Sequence, residues 1–218
     1  MKLLLTSSGN TNTSIEQALR NLLEKPFNTA HITFIPTAAH VEEGDKTWFV
    51  DDMNNFKKLG FASFDVSDIS AVPPKIWRSS FEKADVLVFG GGNVYHLLHW
   101  IKKSGLESLL PEFLKTKIYV GISAGSMVTA KNISLSSSDL LYYEQTGNVQ
   151  NTTGLGLVNF EVRPHLNSPF FPRVRLDYLE KLTQKTPNRL YAIDDASAVQ
   201  VVNTSVSIIS EGEWKQFN

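Results

Sequence analysis

Short apolar runs that suit buried strands recur along the first 130 residues, and segments with a helical pattern separate them. The runs lie at residues 2–6, 31–36, 61–66, 85–90 and 117–122. Apolar residues at consecutive positions are typical of strands that are buried on both faces, as in a parallel sheet. Because strands and helices alternate, the sequence predicts an α/β fold: a three-layer sandwich around a mainly parallel central sheet.

The helical segments between these runs have recognisable ends. Thr13 and Glu16 have the spacing of a capping box at the start of the first helix. Residues 94–103 carry apolar side chains on one face and end in two lysines, and a further helix is predicted at about 171–184. The second half of the chain is richer in short β-type runs, which predict some antiparallel edge strands. These runs lie at residues 132–136, 157–162, 189–193, 198–202 and 205–210.

Composition excludes several classes of function. The 218 residues have a net charge of −1 and contain no cysteine, so a cysteine nucleophile, a thiolate metal site and disulfides are excluded. The charges are scattered, which indicates no nucleic-acid or membrane partner. Because no apolar stretch is long enough for a signal peptide or a membrane span, we expect a cytoplasmic protein. Residues 1–218 contain no linker and are expected to form one domain.

Four junctions between a strand and the following loop are the candidate positions for chemistry. Ligands of open α/β sheets bind where strands end at their carboxyl edge. The junctions are Ser7-Ser8-Gly9-Asn10, Gly90-Gly91-Gly92-Asn93, the stretch around Ser123, and Ile193-Asp194-Asp195.

Ser123 stands in the pattern Gly-x-Ser-x-Gly between an apolar strand and a helix. In a nucleophile elbow, a serine is held in a strained turn, and the glycines on either side allow strand and helix to approach closely. Small residues are also common in ordinary turns of this kind. The pattern therefore predicts a candidate nucleophile that needs a base and an acid elsewhere in the chain.

The histidines supply one suitable base. His165 follows a strand-like segment and lies on a loop, where it could reach over Ser123. His31 begins a strand and is expected to be structural. His96 and His99 share a helix but have no third ligand type nearby, so no metal site and no cofactor is predicted.

The acid that orients the base has three candidates. Asp194 and Asp195 follow an apolar strand, and neighbours in an extended segment point in opposite directions, so one of them should face the site. Asp139 is the alternative, and it would give the chain order Ser, Asp, His that α/β-hydrolases use.

The glycine loop at residues 90–92 predicts an oxyanion hole. The loop lacks the third glycine of a dinucleotide-binding motif, and no Gly-Lys-Ser/Thr follows for a Walker motif. The backbone N–H groups of Gly91 or Gly92, together with that of Ala124, suit a developing oxyanion better. Asn93 is a candidate for binding polar groups of the substrate.

Four segments in this order resemble the peptidase E family of serine peptidases, which has the cyanophycinases as relatives. They are VFGGGNVYHLL, YVGISAGSMV, the strand ending in RPHLNSP, and AIDDASAV, and the resemblance covers nearly the whole chain. It implies a flavodoxin-like fold similar to class I glutamine amidotransferases, with Ser123 as nucleophile in place of cysteine and His165 as base.

The resemblance also bears on the acid and on the substrate. The family often has Glu where this chain has Asp195, which is one methylene shorter, and some members have an Asp after the elbow that Asp139 matches. Peptidase E is an aspartyl dipeptidase without a metal. An acidic substrate calls for arginine, and Arg173 and Arg175 lie where the family's arginines fall.

The expected function is therefore that of a serine peptidase that hydrolyses small peptides, with N-terminal Asp dipeptides as the predicted substrates. A dipeptidase or aminopeptidase of broader specificity stays open. Two rival hypotheses are an esterase that uses Asp139 and a non-catalytic protein that binds a small metabolite. The protein is expected to be a monomer or a homodimer.

Overall fold

The strands and helices follow the predicted alternation in a computed structural model that describes residues 1–133, 142, 153–184 and 188–218. The strands found there are β1 (Lys2–Thr6), β2 (His31–Ile35), β3 (Ser63–Val66), β4 (Val86–Phe89), β5 (Ile118–Ile122), β6 (Phe160–Arg163), β7 (Arg189–Ile193), β8 (Ser197–Val202), β9 (Ser205–Ser210) and β10 (Trp214–Phe217). The α-helices are α1 (Thr13–Leu23), α2 (Thr47–Lys57), α3 (Pro74–Lys83), α4 (Val94–Lys103), α5 (Leu106–Phe113), α6 (Ala124–Met127) and α7 (Leu176–Thr183).

The central sheet is mainly parallel, as predicted. Its described strands have the order β3-β2-β4-β5-β1-β8-β9, in which β3, β2, β4, β5 and β1 are parallel. At one side of the sheet, β8 and the edge strand β9 are antiparallel to their neighbours. A smaller sheet of order β10-β7-β6 holds a parallel β6–β7 pair. The mixed sheet with antiparallel edge strands confirms the predicted fold class.

Apolar side chains from both faces of the central sheet form the core. On one face, Leu4, Phe34 and Val120 pack with the buried side of α1. On the other face, residues of the same strands pack against α3, α4 and α5 and against the smaller sheet. The sandwich therefore has helices on both faces, which explains why the central strands are apolar at consecutive positions.

Two helix ends differ from the predictions. Helix α1 is capped by Asn12, whose side chain accepts a hydrogen bond from the N–H of Ile15, instead of by Thr13 in a capping box. An amide oxygen one residue earlier caps the helix in the same way as a hydroxyl would. The helix predicted at about 171–184 begins only at Leu176. Most of the β-type run at 132–136 lies outside the described residues.

The register of the strands brings three of the four candidate junctions to one edge of the central sheet. Thr6 at the end of β1 pairs with Ile122 at the end of β5, and Phe89 at the end of β4 pairs with Gly121. The segments that follow these strands are therefore neighbours. Among the helices of the described residues, none combines the length and the apolar character that crossing a bilayer requires.

Candidate active site

Ser123 lies in a strained turn between β5 and α6. Its φ of 46° and ψ of −105° are outside the regions that residues with a side chain commonly adopt. The glycines two positions before and after it allow this turn to pack. A Cβ at Gly121 would lie 2.6 Å from the backbone nitrogen of Ser126, and one at Gly125 would overlap the carbonyl oxygen of Phe89. The local geometry is that of a nucleophile elbow.

His165 bridges Ser123 and Asp195. Its Nε2 lies 2.9 Å from Ser123 Oγ, and its Nδ1 lies 2.7 Å from Asp195 Oδ1. The imidazole is mostly buried, with 13% of the side chain exposed, whereas the Asp195 side chain is 42% exposed. We call this hydrogen-bonded series the Ser–His–Asp series. The Asp195 carboxylate is long enough to reach His165.

The smaller sheet explains how His165 and Asp195 meet. Arg163 at the end of β6 pairs with Ala192 in β7, and the N–H of Leu166 donates to the carbonyl of Ile193. The loops after these two parallel strands therefore run side by side. His165 itself has a left-handed backbone with φ 65°, and its ring stacks on Phe171 at 4.4 Å between centroids. This contact fixes the plane of the imidazole.

Two serines of the β1–α1 loop support Asp195. The hydroxyls of Ser7 and Ser8 each donate to Asp195 Oδ1 at 2.7 Å, and Ser7 Oγ also accepts from the backbone N–H of His165 at 2.8 Å. Burial alone would raise the pKa of Asp195, but the hydrogen bond and charge of His165 and the two hydroxyls lower that pKa well below its ordinary value. Asp195 is therefore a carboxylate across the neutral pH range.

Asp194 points away from His165 and organises the turn before β8. Its Oδ1 accepts from the Ser197 hydroxyl at 2.5 Å and from the N–H of Ala196, and its Oδ2 accepts from the N–H of Glu213 at 2.6 Å. Of the two neighbouring acids, Asp195 is thus the one that contacts the histidine. The third candidate, Asp139, lies outside the described residues.

The predicted oxyanion donors lie next to Ser123. A Cβ at Gly91 would be 3.5 Å from Ser123 Cβ, and Gly92 has a φ of 120° and packs against the carbonyl of Ala38. Within the described part of the chain, the N–H groups of Gly91, Gly92 and Ala124 donate to no protein acceptor. Unpaired N–H groups beside a serine can bind an oxyanion.

The predicted substrate-binding residues differ in their surroundings. Asn93 Oδ1 accepts from the N–H of His96 and so caps α4, which leaves its amide nitrogen for other partners. The Arg175 guanidinium donates to the carbonyls of Ser168, Phe171 and Val174 and holds the loop before α7. Arg173 is exposed on the same loop.

Comparison with known proteins identifies the family. The family model of peptidase family S51 matches residues 3–209. The chain belongs to peptidase family S51. It is 33% identical over 183 residues to an uncharacterized peptidase of Pasteurella multocida, covering 82% of this chain and 84% of that one. It is also 29% identical over 184 residues to peptidase E of Shewanella oneidensis, covering 82% and 73% of the two chains.

A solved structure shows the same fold. A Listeria monocytogenes protein assigned as a peptidase E superposes with a TM-score of 0.80 at 26% identity, covering 97% of this chain and 98% of that one. The resemblance to the peptidase E family is thereby confirmed, and this S51 chain is a peptidase.

Several side chains around the site of this S51 peptidase were not assigned a role from the sequence. Ser7 and Ser8 lie in a junction that the strand pattern marked, but their contact with Asp195 spans almost 190 positions. Phe171 was only part of a predicted helix. Trp48 and Asp52 lie on α2, in which Phe56 is the single fully buried residue. The sequence of this helix therefore shows no clear apolar face. Among the described residues, no group of three or more His, Asp or Glu side chains could hold a metal ion.

Proposed function

We propose that this chain is a serine peptidase that hydrolyses small peptides, with Ser123 as nucleophile, His165 as base and Asp195 as the acid that orients it. The observation that carries the proposal is the Ser–His–Asp series at a strained elbow. Nucleophile, base and orienting acid in hydrogen-bond contact are the arrangement that activates a serine hydroxyl.

The proposed reaction has two halves. His165 Nε2 takes the proton of Ser123 as the oxygen bonds to the peptide carbonyl carbon, and the resulting oxyanion accepts from the N–H groups of Ala124 and the glycine loop. The peptide C–N bond then breaks, and the leaving amine takes the proton from His165. Water next attacks the acyl-serine with His165 again as base, which releases the acid and restores the serine.

N-terminal Asp dipeptides are the proposed substrates, in line with the relatives named peptidase E. An exposed arginine can bind the Asp carboxylate of the substrate through two hydrogen bonds. Arg173 and Arg175 are both candidates for this contact, and Arg173 is the more exposed of the two. If neither arginine binds substrate, the enzyme is a dipeptidase or aminopeptidase of broader specificity.

The nucleophile is tested by substitution and labelling. We expect the parent protein to react with a fluorophosphonate probe at Ser123. The variant Ser123→Ala should not be labelled, and its rate of Asp-Leu hydrolysis should be lower by about 10⁴-fold or more. Undiminished hydrolysis in Ser123→Ala would exclude Ser123 as nucleophile. A folded parent protein that neither labels nor hydrolyses any dipeptide would support a binding protein instead.

The specificity is tested with a pair of substrates of equal size. Asp-Leu and Asn-Leu differ only in the charge of the first side chain, so a preference of about tenfold or more for Asp-Leu indicates an ion pair in the site. Arg173→Gln should remove this preference. Equal hydrolysis of the two dipeptides by the parent protein would favour the broader specificity.

The rival esterase hypothesis is tested by a different pair of variants. If the enzyme is an esterase that uses Asp139, hydrolytic activity should fall more in Asp139→Asn than in Asp195→Asn.

A further inference from the structure

One turn of helix α2 forms a wall beside the Ser–His–Asp series. Trp48 and Asp52 are four residues apart, so their side chains lie on the same face of the helix. The Trp48 ring comes within 3.6 Å of the position that a Cβ at Gly91 would occupy, and Ser123 Cβ is 3.5 Å from the same position. The wall therefore stands over the glycine loop and the nucleophile.

Asp52 extends this wall toward the β1–α1 loop. A Cβ at Gly9 would lie 3.4 Å from Asp52 Oδ1 and 3.3 Å from Ile122 Cδ1. Gly9 follows Ser7 and Ser8, which bind Asp195, and Ile122 precedes Ser123. The Asp52 carboxyl thus borders the loop whose serines bind Asp195 and lies near the side chain of the residue before Ser123, beside the space that the missing side chain of Gly9 leaves open.

The surroundings of the Asp52 carboxyl are unfavourable for its charge. Across the described residues, it takes part in no hydrogen bond and no ion pair, although it is partly buried. Burial, followed by the negative charges of Asp51 and Asp195, raises the pKa of Asp52 to about 7. A partly buried carboxyl without a cation, next to a second carboxylate, is an unfavourable arrangement that a bound positive charge would relieve.

We propose that Asp52 binds the free α-ammonium group of the peptide substrate and so restricts hydrolysis to the first peptide bond. The proposal rests on the proposed peptidase function and extends it. In a peptide, the N-terminal nitrogen and the first carbonyl carbon are attached to the same Cα. Only the N-terminal residue of a peptide therefore has an ammonium group next to the carbonyl that Ser123 attacks. Trp48 covers the adjacent apolar part of the substrate.

The chemistry of this contact sets the substrate class. An ammonium group donates hydrogen bonds to a carboxylate and offsets its charge, whereas an acetylated N-terminus has neither the charge nor more than one N–H. We therefore expect free dipeptides and amino-terminal residues of short peptides to bind, and N-acetylated peptides to be rejected.

Binding to a protein that cannot turn over substrate tests the proposal directly. The variant Ser123→Ala is titrated calorimetrically with a panel of dipeptides X-Leu, in which X is Asp, Ala, Leu, Lys or Phe, and with their N-acetyl forms. For the tightest dipeptide of the panel, we expect acetylation to weaken binding roughly 10- to 100-fold. Adding Asp52→Asn should remove most of this difference, whereas Asp52→Glu should keep part of it.

Asp51→Asn is the matched control, because it removes the same charge from the exposed residue that precedes Asp52 in α2. In the Ser123→Ala background, it should leave the ratio of affinities for free and acetylated dipeptides unchanged. A general effect of negative charge on the site would lower the ratio in both variants. Equal affinity for free and acetylated dipeptides, or no binding of any free dipeptide, would overturn the role of Asp52.

Failure of this inference is distinguishable from failure of the proposed function. Labelling of Ser123 by a neutral fluorophosphonate reports on the nucleophile and requires no ammonium group. A parent protein that labels at Ser123 but shows no preference for a free N-terminus would remain a serine hydrolase, and Asp52 would not be its ammonium site. A protein that prefers the free N-terminus without labelling would have the binding site but a different mechanism.

Discussion

The two halves of the candidate active site are built in different ways. The half with Ser123 is made of backbone: a strained turn, glycines that allow close packing, and N–H groups that meet no acceptor among the described residues. The half with His165 and Asp195 is made of side chains that hold one another: Ser7 and Ser8 come from the loop after β1, and the other two residues come from the loops after β6 and β7. Backbone geometry is encoded locally, whereas the side-chain network depends on contacts between distant segments.

The largest expected effect is a loss of activity that distinguishes Asp195 from Asp194, the two neighbouring acids in the half of the site that is made of side chains. Asp195→Asn replaces the acceptor of the His165 Nδ1 proton and should lower kcat roughly 10³- to 10⁴-fold. Asp194→Asn should instead lower the free energy of unfolding by about 1–3 kcal/mol, because Asp194 accepts from Ala196, Ser197 and Glu213. Steady-state kinetics and chemical denaturation measure the two effects. A greater loss of kcat in Asp194→Asn would mean that the acids have the opposite roles.

The next effect tests the backbone half. Gly125→Ala places a Cβ on the carbonyl oxygen of Phe89, which must move, and we expect a loss of about 3 kcal/mol in the free energy of unfolding. Gly60→Ala is the control, because a Cβ there meets nothing within 4 Å and only its φ of 76° is unfavourable. That variant should lose about 1 kcal/mol. Equal losses in urea denaturation would show that space at Gly125 is not limiting.

A smaller effect distinguishes the two serines that bind Asp195. Ser7 is fully buried and also accepts from the N–H of His165, so Ser7→Ala leaves a buried donor unpaired and should raise the activation free energy by about 1–3 kcal/mol. Ser8 is more exposed, and among the described residues its hydroxyl hydrogen-bonds the carboxylate alone, so Ser8→Ala should cost about 1 kcal/mol. Values of kcat/KM for both variants test this order, and a larger loss in Ser8→Ala would contradict it.

The smallest effect concerns the charge that α2 adds to the side-chain half. The pKa of Asp52 is raised to about 7, so the folded protein holds the carboxyl proton up to a higher pH than the unfolded chain does. The free energy of unfolding therefore falls as the pH rises from 4 to 7. Asp52→Asn should therefore stabilise the protein by about 1–2 kcal/mol at pH 8.

At pH 3.5, Asp52 is mostly protonated in both the folded and the unfolded state, so the same variant should have a much smaller effect there. Denaturation at the two pH values, with Asp51→Asn alongside, measures the difference. An equal effect of Asp52→Asn at pH 3.5 and pH 8 would argue against a raised pKa.

Much of the fold could be predicted from the sequence because it follows from local patterns. The central strands are apolar at consecutive positions, and every predicted run in the first 130 residues corresponds to a strand of the central sheet. The elbow was also predictable, since the glycines that its packing requires stand two positions from the serine in the chain.

The side-chain half could be predicted only in part. The sequence indicated that one of Asp194 and Asp195 faces the site, and the choice depends on the pairing of Ile193 with Trp214, which places the N–H of Glu213 against Asp194. Ser7 and Ser8 owe their role to the antiparallel pairing of β1 with β8. Pairings between such distant segments leave no periodic signal in the sequence.

The pairing of β1 with both β5 and β8 also has a consequence for the order in which the site can form. Ser7 precedes its partner Asp195 by 188 positions, and five of the seven strands of the central sheet are synthesised before Asp195. A growing chain that has already produced Ser123 still lacks the acid of the series and the strand that positions it. During translation, the Ser–His–Asp series can therefore assemble only after Asp195 and β8 have been synthesised, and the onset of hydrolysis would time the docking of β8 onto β1.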